Sequence, residues 1–205
     1  PYILGISSGA GLGAVAAVVG GVSWTFWGRS PVALFAFAGA IGTVWLVWLV
    51  GRFTARHSIT GLLLAGVVVN AFFSALIMFI TSIGHSSQVY STIFWLMGNM
   101  TEVDFVVLWF AGGYTAIAVF ATFLIGSRLN AVSIGDQDAR SVGIDPGRTR
   151  LAAFALAAFM TAVAVSLSGL VGFVGLVVPH AIRLLFGPDH RQLVPLSSLF
   201  GGAFL

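Results

Sequence analysis

The sequence predicts an all-α protein that crosses a membrane several times as a polytopic bundle of helices. Hydrophobic residues make up 59% of the 205 residues and charged residues only 7%, and the mean hydropathy is +1.05. An ordinary water-soluble domain carries roughly 25% charged residues. The apolar residues also fall into long runs separated by short polar segments, which is the pattern of membrane-spanning helices.

Six apolar runs are each compatible with a helix. In chain order they are 9–27, 32–50, 59–83, 105–125, 151–168 and 172–186. About 20 residues are needed to cross a hydrocarbon core roughly 30 Å thick, so the first five runs are long enough. The sixth is shorter and contains Pro179, which predicts either a short crossing shielded by neighbours or a broken one.

The start of the chain carries glycines at a regular spacing. Gly5, Gly9 and Gly13 are four residues apart, so on a helix they lie along one face. Small residues on one face allow two helix backbones to approach closely. The spacing therefore predicts a tightly packed helix pair.

The basic residues indicate the orientation in the membrane. All nine are arginines. If the loop at 52–58 is cytoplasmic, alternation of the spans leaves only Arg29 outside, which agrees with the enrichment of basic residues in cytoplasmic loops. Glu102, Asp104 and the segment 84–100 then fall outside. The arginines form no dense patch, which argues against a nucleic-acid partner.

The segment 133–143 is a polar island between apolar runs. Ser133 followed three residues later by Asp136 predicts a capping box, Gly143 predicts a left-handed helix end, and Pro146 prevents continuation. A short helix of about two turns is expected, with acidic residues at its start and an arginine near its end, as the helix dipole favours. It is either a capped surface helix of a cytoplasmic loop or a docking element for a soluble partner.

Three other polar features, the segment 86–99, Asn70 and His180, can each be interpreted in two ways. The segment 86–99 is amphipathic and too polar to span, so an outer interfacial helix is expected; it lines a substrate path or anchors the protein through Tyr90 and Trp95. Asn70, near the middle of the third run, contacts substrate or forms an interhelical hydrogen bond. His180 lines a pathway or bonds a carbonyl freed by Pro179.

Several kinds of chemistry are disfavoured by what the sequence contains. The predicted spans carry no acidic or basic residue before Arg183, whereas proton-coupled carriers usually place such groups at membrane depth. No phosphate-binding loop of the form GxxxxGK[ST] occurs, and His180 has no second ligand at metal-binding spacing. No catalytic residue, metal or cofactor is predicted.

Five blocks of this sequence together resemble one known family. They are 1–11, 61–67, 94–98, 133–143 and 172–191. In this order they are similar to the FecCD-type permeases, the membrane subunits of bacterial ABC importers for iron–siderophore complexes, haem and cobalamin. The resemblance implies a ten-helix subunit of the bacterial cytoplasmic membrane. The chain would be a fragment of it holding helices three to eight and the start of the ninth, as one permease domain over 1–205 with a cytoplasmic coupling loop at 128–150.

The resemblance also implies partners and site residues. A second permease copy, two ABC ATPase subunits, a substrate-binding protein and the membrane lipid would be the partners, and the ATPases, not this chain, would hydrolyse ATP. Asp136 stands where the family often has glutamate. The residues expected to couple to the ATPase are Ser133, Ile134, Gly135, Asp136, Ala139, Arg140 and Gly143. Those expected at the pathway or its gate are Ile59, Thr60, Asn70, Tyr90, Trp95 and Met97.

Two other functions remain open at this stage. A secondary transporter with broken helices around Pro179 would depend on an ion gradient, and a membrane scaffold or receptor would transport nothing. Within the importer interpretation, siderophore, haem and cobalamin are all possible substrates, and an iron complex is favoured because most relatives carry one.

Overall fold

A computed structural model of the chain describes residues 5–22, 31–54, 59–98 and 105–205. Within these ranges the backbone forms helices joined by short turns and contains no strand, so the predicted all-α class is confirmed. The helices are α1 (Ile6–Val19), α2 (Pro31–Thr54), α3 (Ile59–Ile83), α4 (Ser86–Met97), α5 (Phe105–Leu124), α6 (Gly126–Ile134), α7 (Asp136–Ser141), α8 (Pro146–Ser168), α9 (Val174–Phe186) and α10 (His190–Phe204).

Three helices in the described ranges are long and apolar enough to cross a membrane. These spans are Pro31–Val50, Leu64–Ile83 and Pro146–Ser168. A fourth is obtained if Leu108–Leu124 and Gly126–Ile134, which meet at 47°, are counted as one bent span. Each of the six apolar runs corresponds to a helix, which confirms the predicted polytopic membrane class.

Two of the six runs form shorter helices than a simple crossing requires. The first was expected over 9–27, but α1 has 14 residues and ends at Val19, where Gly20 and the left-handed Gly21 (φ 63°) follow. At 1.5 Å per residue it is about 21 Å long. The sixth, α9, has 13 residues and contains Pro179 without being divided by it, so it is short and not broken.

The chain divides into two compact units. The first consists of residues 1–108 and 158–171, and the second of residues 109–157 and 172–205. In the first unit α1 packs against α2, α3 and α4. In the second unit α6 contacts both α7 and α10, and α10 contacts α9.

Small residues fill the core of the first unit. Its buried members come from three helices: Ile6, Ala10 and Ala14 of α1, Ala36 and Ala40 of α2, and Ala158, Ala162 and Val165 of α8. Where α1 crosses α2, a Cβ atom added at Gly13 would lie 2.1 Å from the carbonyl oxygen of Phe35, and one added at Gly39 would lie 2.2 Å from that of Gly9. The backbones are in contact there, so the predicted close packing through the glycine face is confirmed.

Candidate functional site

The polar island forms the short helix α7, but its start differs from the prediction. The helix begins at Asp136, and its N-cap is Gly135, which has no side chain to donate or accept a capping bond. Ser133 belongs to the preceding helix α6, and its hydroxyl donates to the carbonyl oxygen of Asn130 at 2.7 Å. The predicted capping box is therefore wrong, because a serine in helical backbone bonds back to its own preceding turn.

The end of α7 follows the prediction. Gly143 has φ 78°. Its amide donates to the carbonyl of Arg140 at 3.0 Å, and the amide of Ile144 donates to the carbonyl of Ala139 at 2.9 Å. This pair of bonds is the Schellman motif, which requires a left-handed residue after the helix. Ala139 is fully buried, so its methyl group packs inside the loop and leaves the other face of α7 to solvent.

The chain then turns directly into α8. Pro146 is the first residue of α8, a position where the missing proline amide costs nothing. The carboxylate of Asp145 accepts from the amides of Gly147 (2.9 Å) and Arg148 (3.3 Å), which satisfies donors of the first turn. The helix thus starts five residues before the apolar run at 151, since a proline and an aspartate provide the starting signal.

An ion pair connects the first residue of α7 to α8. The guanidinium of Arg150 donates to both carboxylate oxygens of Asp136, at 3.0 Å from Nη1 and 2.5 Å from Nη2. The hydrogen bond from Arg150 lowers the pKa of Asp136. Desolvation of the carboxylate opposes this shift, and the positive charges of Arg150 and Arg140 add to it. The partners are 14 residues apart across a turn, so no short-range sequence pattern predicts the pair.

A second polar cluster joins α6 to the start of α10. The Nδ2 of Asn130 donates to Asp189 Oδ1 at 2.6 Å. The Oδ1 of Asn130 accepts from the backbone amide of His190 at 2.9 Å and lies 2.7 Å from His190 Nδ1. Since an amide oxygen only accepts, Nδ1 of His190 carries a proton. One turn earlier on α6, Ser127 Oγ accepts from Arg191 Nε at 2.8 Å.

The titratable groups of this cluster are shifted by their surroundings. The hydrogen bond from Asn130 lowers the pKa of Asp189, and the bond from the amide of Arg191 adds to this. Burial lowers the pKa of His190, helped by the charge of Arg183 and opposed by that of Asp189. No sequence pattern pointed to Ser127 or Asn130, although an aspartate before the polar start of a helix is a recognisable N-cap signal for α10.

A cavity opens beside the loop that follows α7. It has a volume of about 470 Å³ and is lined by Ile125, Arg128, Gly143, Ile144, Asp145, Arg148, Thr149 and Ala152. The side chain of Arg148 is highly exposed, and its Nε lies 3.4 Å from Oδ2 of Asp145. Arg128, Arg148 and Asp145 surround this open cavity, which lies next to the exposed helix α7. These side chains are suited to contact a polar or acidic surface.

The residues expected at the pathway are distributed over α3 and α4. Ile59 and Thr60 open α3, and Asn70 lies half-buried in the same helix. On α4, Tyr90 and Met97 are 67% and 73% exposed. Their exposed face on α4 also carries Ile93 and Phe94.

Trp95 takes a different position from the other two α4 residues expected at the pathway. It packs against the core of the first unit. The helix itself is tied to α1 by Gln88, whose Nε2 donates to the carbonyl of Val19 at 3.2 Å while its Oε1 accepts from the amide of His85 at 3.0 Å. Among the described residues no group of three or more His, Asp or Glu side chains is placed to hold a metal ion.

Comparison with known proteins supports the membrane class that the apolar helices indicate. The model of the FecCD transport family matches residues 1–205. The chain belongs to the FecCD transport family. It is therefore a multi-pass membrane protein, and the resemblance stated from the sequence is confirmed.

Individual FecCD relatives carry several transport names. The chain is 37% identical to the cobalamin import system permease protein BtuC of Halobacterium salinarum, over all of this chain and 54% of that protein. It is 36% identical to a probable iron chelatin transport system permease protein of Helicobacter pylori, and 32% identical to the hemin transport system permease protein HmuU of Yersinia pestis. Both of these matches cover all of this chain, with 60% of the Helicobacter pylori protein and 61% of the Yersinia pestis protein.

A solved structure shares the FecCD-type fold. It is described as an inward-facing conformation of a metal-chelate type ABC transporter, and it superposes with a TM-score of 0.89 at 28% identity, over all of this chain and 64% of that one. The chain thus spans about half to three-fifths of the length of the curated relatives it matches.

Proposed function

We propose that the chain is the membrane-spanning part of an ATP-driven ABC importer permease in the bacterial cytoplasmic membrane. The observation that carries this proposal is α7, an exposed polar helix that contacts α6 and is bonded to α8 in a member of the FecCD family. Its start is held by the Asp136–Arg150 ion pair and its end by the Schellman motif at Gly143. A helix fixed at both ends with one free face is suited to receive a push from a soluble partner.

In this proposal α7 is the coupling helix and 128–150 the coupling loop of a single permease domain. Ala139 is buried, whereas Gln137, Asp138 and Arg140 are exposed on α7, so these three face the ATPase. The cavity lined by Arg128 and Arg148 receives polar groups of the same partner. ATP binding would move α7, and differential binding in two states would shift the permease between outward-open and inward-open forms. The chain performs no bond chemistry itself.

The substrate class we infer is a large metal chelate, with an iron complex as the first choice and cobalamin as the alternative. Relatives are named for cobalamin, hemin and iron chelatin, which share a bulky, chelated metal. The pathway would use Ile59 and Thr60 at its gate, Asn70 on α3, and the exposed Tyr90 and Met97 of α4. A second permease copy would complete the pathway, and a substrate-binding protein would deliver the chelate.

A site-specific crosslink tests the contact with the ATPase. These 205 residues contain no cysteine, so Gln137→Cys, in a full-length protein with any cysteine outside them replaced by serine, provides a single thiol on the free face of α7. We expect it to crosslink to a cysteine-bearing ABC ATPase in an ATP-dependent manner. Ser87→Cys, exposed on α4, is the matched control and should not react. Absence of a crosslink from residue 137 in an assembled complex would overturn the coupling role.

A further inference from the structure

The polar cluster between α6 and α10 connects the loop that carries α7 to a second helix pair. Within the second unit α7 packs on α6, α6 on α10, and α10 on α9. Within this unit the contact between α6 and α10 therefore connects α7 to α9. This contact is polar, and its residues are Ser127, Asn130, Asp189, His190 and Arg191.

Asn130 uses both ends of its amide in this contact. Its Nδ2 donates to Asp189 Oδ1 at 2.6 Å, and its Oδ1 accepts from the amide of His190 at 2.9 Å. Asp189 Oδ1 also accepts from the amide of Arg191 at 2.9 Å. The first free donors of α10 are thus satisfied partly by Asp189 and partly by a residue 60 positions earlier in the chain. Side chains normally cap a helix from a neighbouring position, so a cap from α6 makes the start of α10 dependent on α6.

The directional bonds define one relative position of the two helices. Ser127 and Asn130 are three residues apart and lie on one face of α6, and they engage consecutive residues of the α10 start. His190 is half-buried, so water does not readily replace the bond to its amide. If α6 slid by one turn, the amide of His190 and the carboxylate of Asp189 would lose their partner together, which costs more than losing one exposed bond.

We propose that Asn130 is a positioning residue that makes α6 and the start of α10 move as one body, so that motion of α7 is transmitted to α9. This inference rests on the proposed function, because it assigns a transmission path to the same coupling helix. The ion pair between Asp136 and Arg150 holds α7 against α8, while Asn130 provides the connection toward α10 and α9.

The test compares ATP hydrolysis and substrate uptake in proteoliposomes containing the full-length permease and its ATPase. For Asn130→Ala we expect uptake per ATP hydrolysed to fall by about fivefold or more, as the loss of a half-buried hydrogen-bond partner predicts, with ATPase association retained. Gln192→Ala truncates an exposed amide in the first turn of α10 and should couple normally. Normal coupling by Asn130→Ala would overturn the inference.

A disulfide provides a rescue that a general loss of stability would not show. A Cβ added at Gly126 would lie 3.4 Å from Cγ and 3.6 Å from Cα of Arg191, so the intervening Cβ is within about the 3.5–4.5 Å that disulfides span. In an Asn130→Ala background, Gly126→Cys with Arg191→Cys should restore uptake per ATP when oxidised and not when reduced. Equal uptake in both redox states would contradict transmission through this contact.

A polarity exchange provides a second variant if Asn130→Ala does not fold. Asn130→Asp places two carboxylates against each other and should impair coupling. Adding Asp189→Ser removes the second carboxylate, and the serine hydroxyl can donate to the carboxylate at 130 while it accepts from the amide of Arg191; the acceptor for His190 is kept, and coupling should be restored. Failure of this restoration would overturn the inference. If the wild-type permease itself shows no ATP-dependent uptake with the ATPase, the proposed function fails instead.

Discussion

At the residue scale, α7 is flanked by two glycines, and only one of them has a backbone conformation that requires glycine. Gly143 is left-handed at φ 78° and ends α7, while Gly135 at the other end has φ 169°, which is extended backbone open to any residue. The two glycines flank the same helix but carry different requirements. Gly143 is needed for its backbone angle, and Gly135 is not.

Gly143→Ala should therefore impair coupling where Gly135→Ala does not. An alanine forced into the left-handed region costs about 1–2 kcal/mol, and in a six-residue helix this loosens the last turn. A Cβ at Gly135 meets only the flexible carboxylate of Asp138 at 3.0 Å. Uptake per ATP in proteoliposomes measures both variants. Equal loss in both would show that the angle at Gly143 is not the reason for its presence.

The ion pair at the start of α7 predicts a pH dependence. The pKa of Asp136 is lowered in the folded protein, so the pair stabilises the loop above the unfolded pKa, near 3.8. This contribution is lost as the pH falls through the lower folded value. Replacement of Arg150 by glutamine should raise the pKa of Asp136 toward its ordinary value. Carbon-13 NMR titration of labelled aspartate in micelles measures the shift, and an unchanged pKa would contradict the pair.

At the element scale, glycine and alanine faces decide which helices pack and which positions remain open. The approach of α1 to α2 leaves no room at Gly39, whereas a Cβ at Gly42, one turn later on the same helix, meets nothing within 4 Å. Both residues lie in the interior of α2, so replacing either by alanine has the same effect on helix propensity. Any difference between the two variants therefore reports the packing against α1.

Gly39→Ala is expected to destabilise the protein by about 2 kcal/mol or more, since its methyl group would overlap the backbone of Gly9. Gly42→Ala should leave stability unchanged or raise it by up to about 1 kcal/mol, as alanine favours helix over glycine. Thermal unfolding in detergent measures both. Similar melting temperatures for the two variants would contradict the close contact.

The positions of most helices and the packing of α1 follow from the sequence, and the features that do not follow have physical causes. Apolar runs locate the helices because burying a membrane span requires continuous hydrophobicity, and the four-residue glycine spacing in α1 predicts its packing. The end of α1 at Val19 does not follow from hydropathy, since Gly20 and Gly21 stop the helix inside an apolar region. The Asp136–Arg150 and Asn130–Asp189 bonds join residues far apart in sequence, so only the folded chain shows them. Ser133 was misplaced because α6 continues through it.

At the scale of the whole molecule, the enrichment of arginines in the segment 128–150 predicts that this segment is cytoplasmic and that the segment 84–100 lies outside. One predicted span, the apolar run at 105–125, lies between Ser87 and Gln137 in the chain. Single cysteines at these two positions test the orientation. A membrane-impermeant maleimide should label Ser87→Cys in intact spheroplasts and Gln137→Cys only after permeabilisation. Labelling of both in intact spheroplasts would contradict this topology.

The brevity of α7 has a consequence for inhibitors. With six residues, and with only nine in α6, neither helix is long enough to persist alone in water, where isolated helices below about 12–15 residues are marginal. A linear peptide copied from 126–150 would therefore be mostly unfolded and, if α7 binds the ATPase as proposed, would compete weakly for it. A mimic would need a covalent staple in place of the Asp136–Arg150 pair and a left-handed residue at position 143. The peptide would then already have its bound conformation and would lose less conformational entropy on binding.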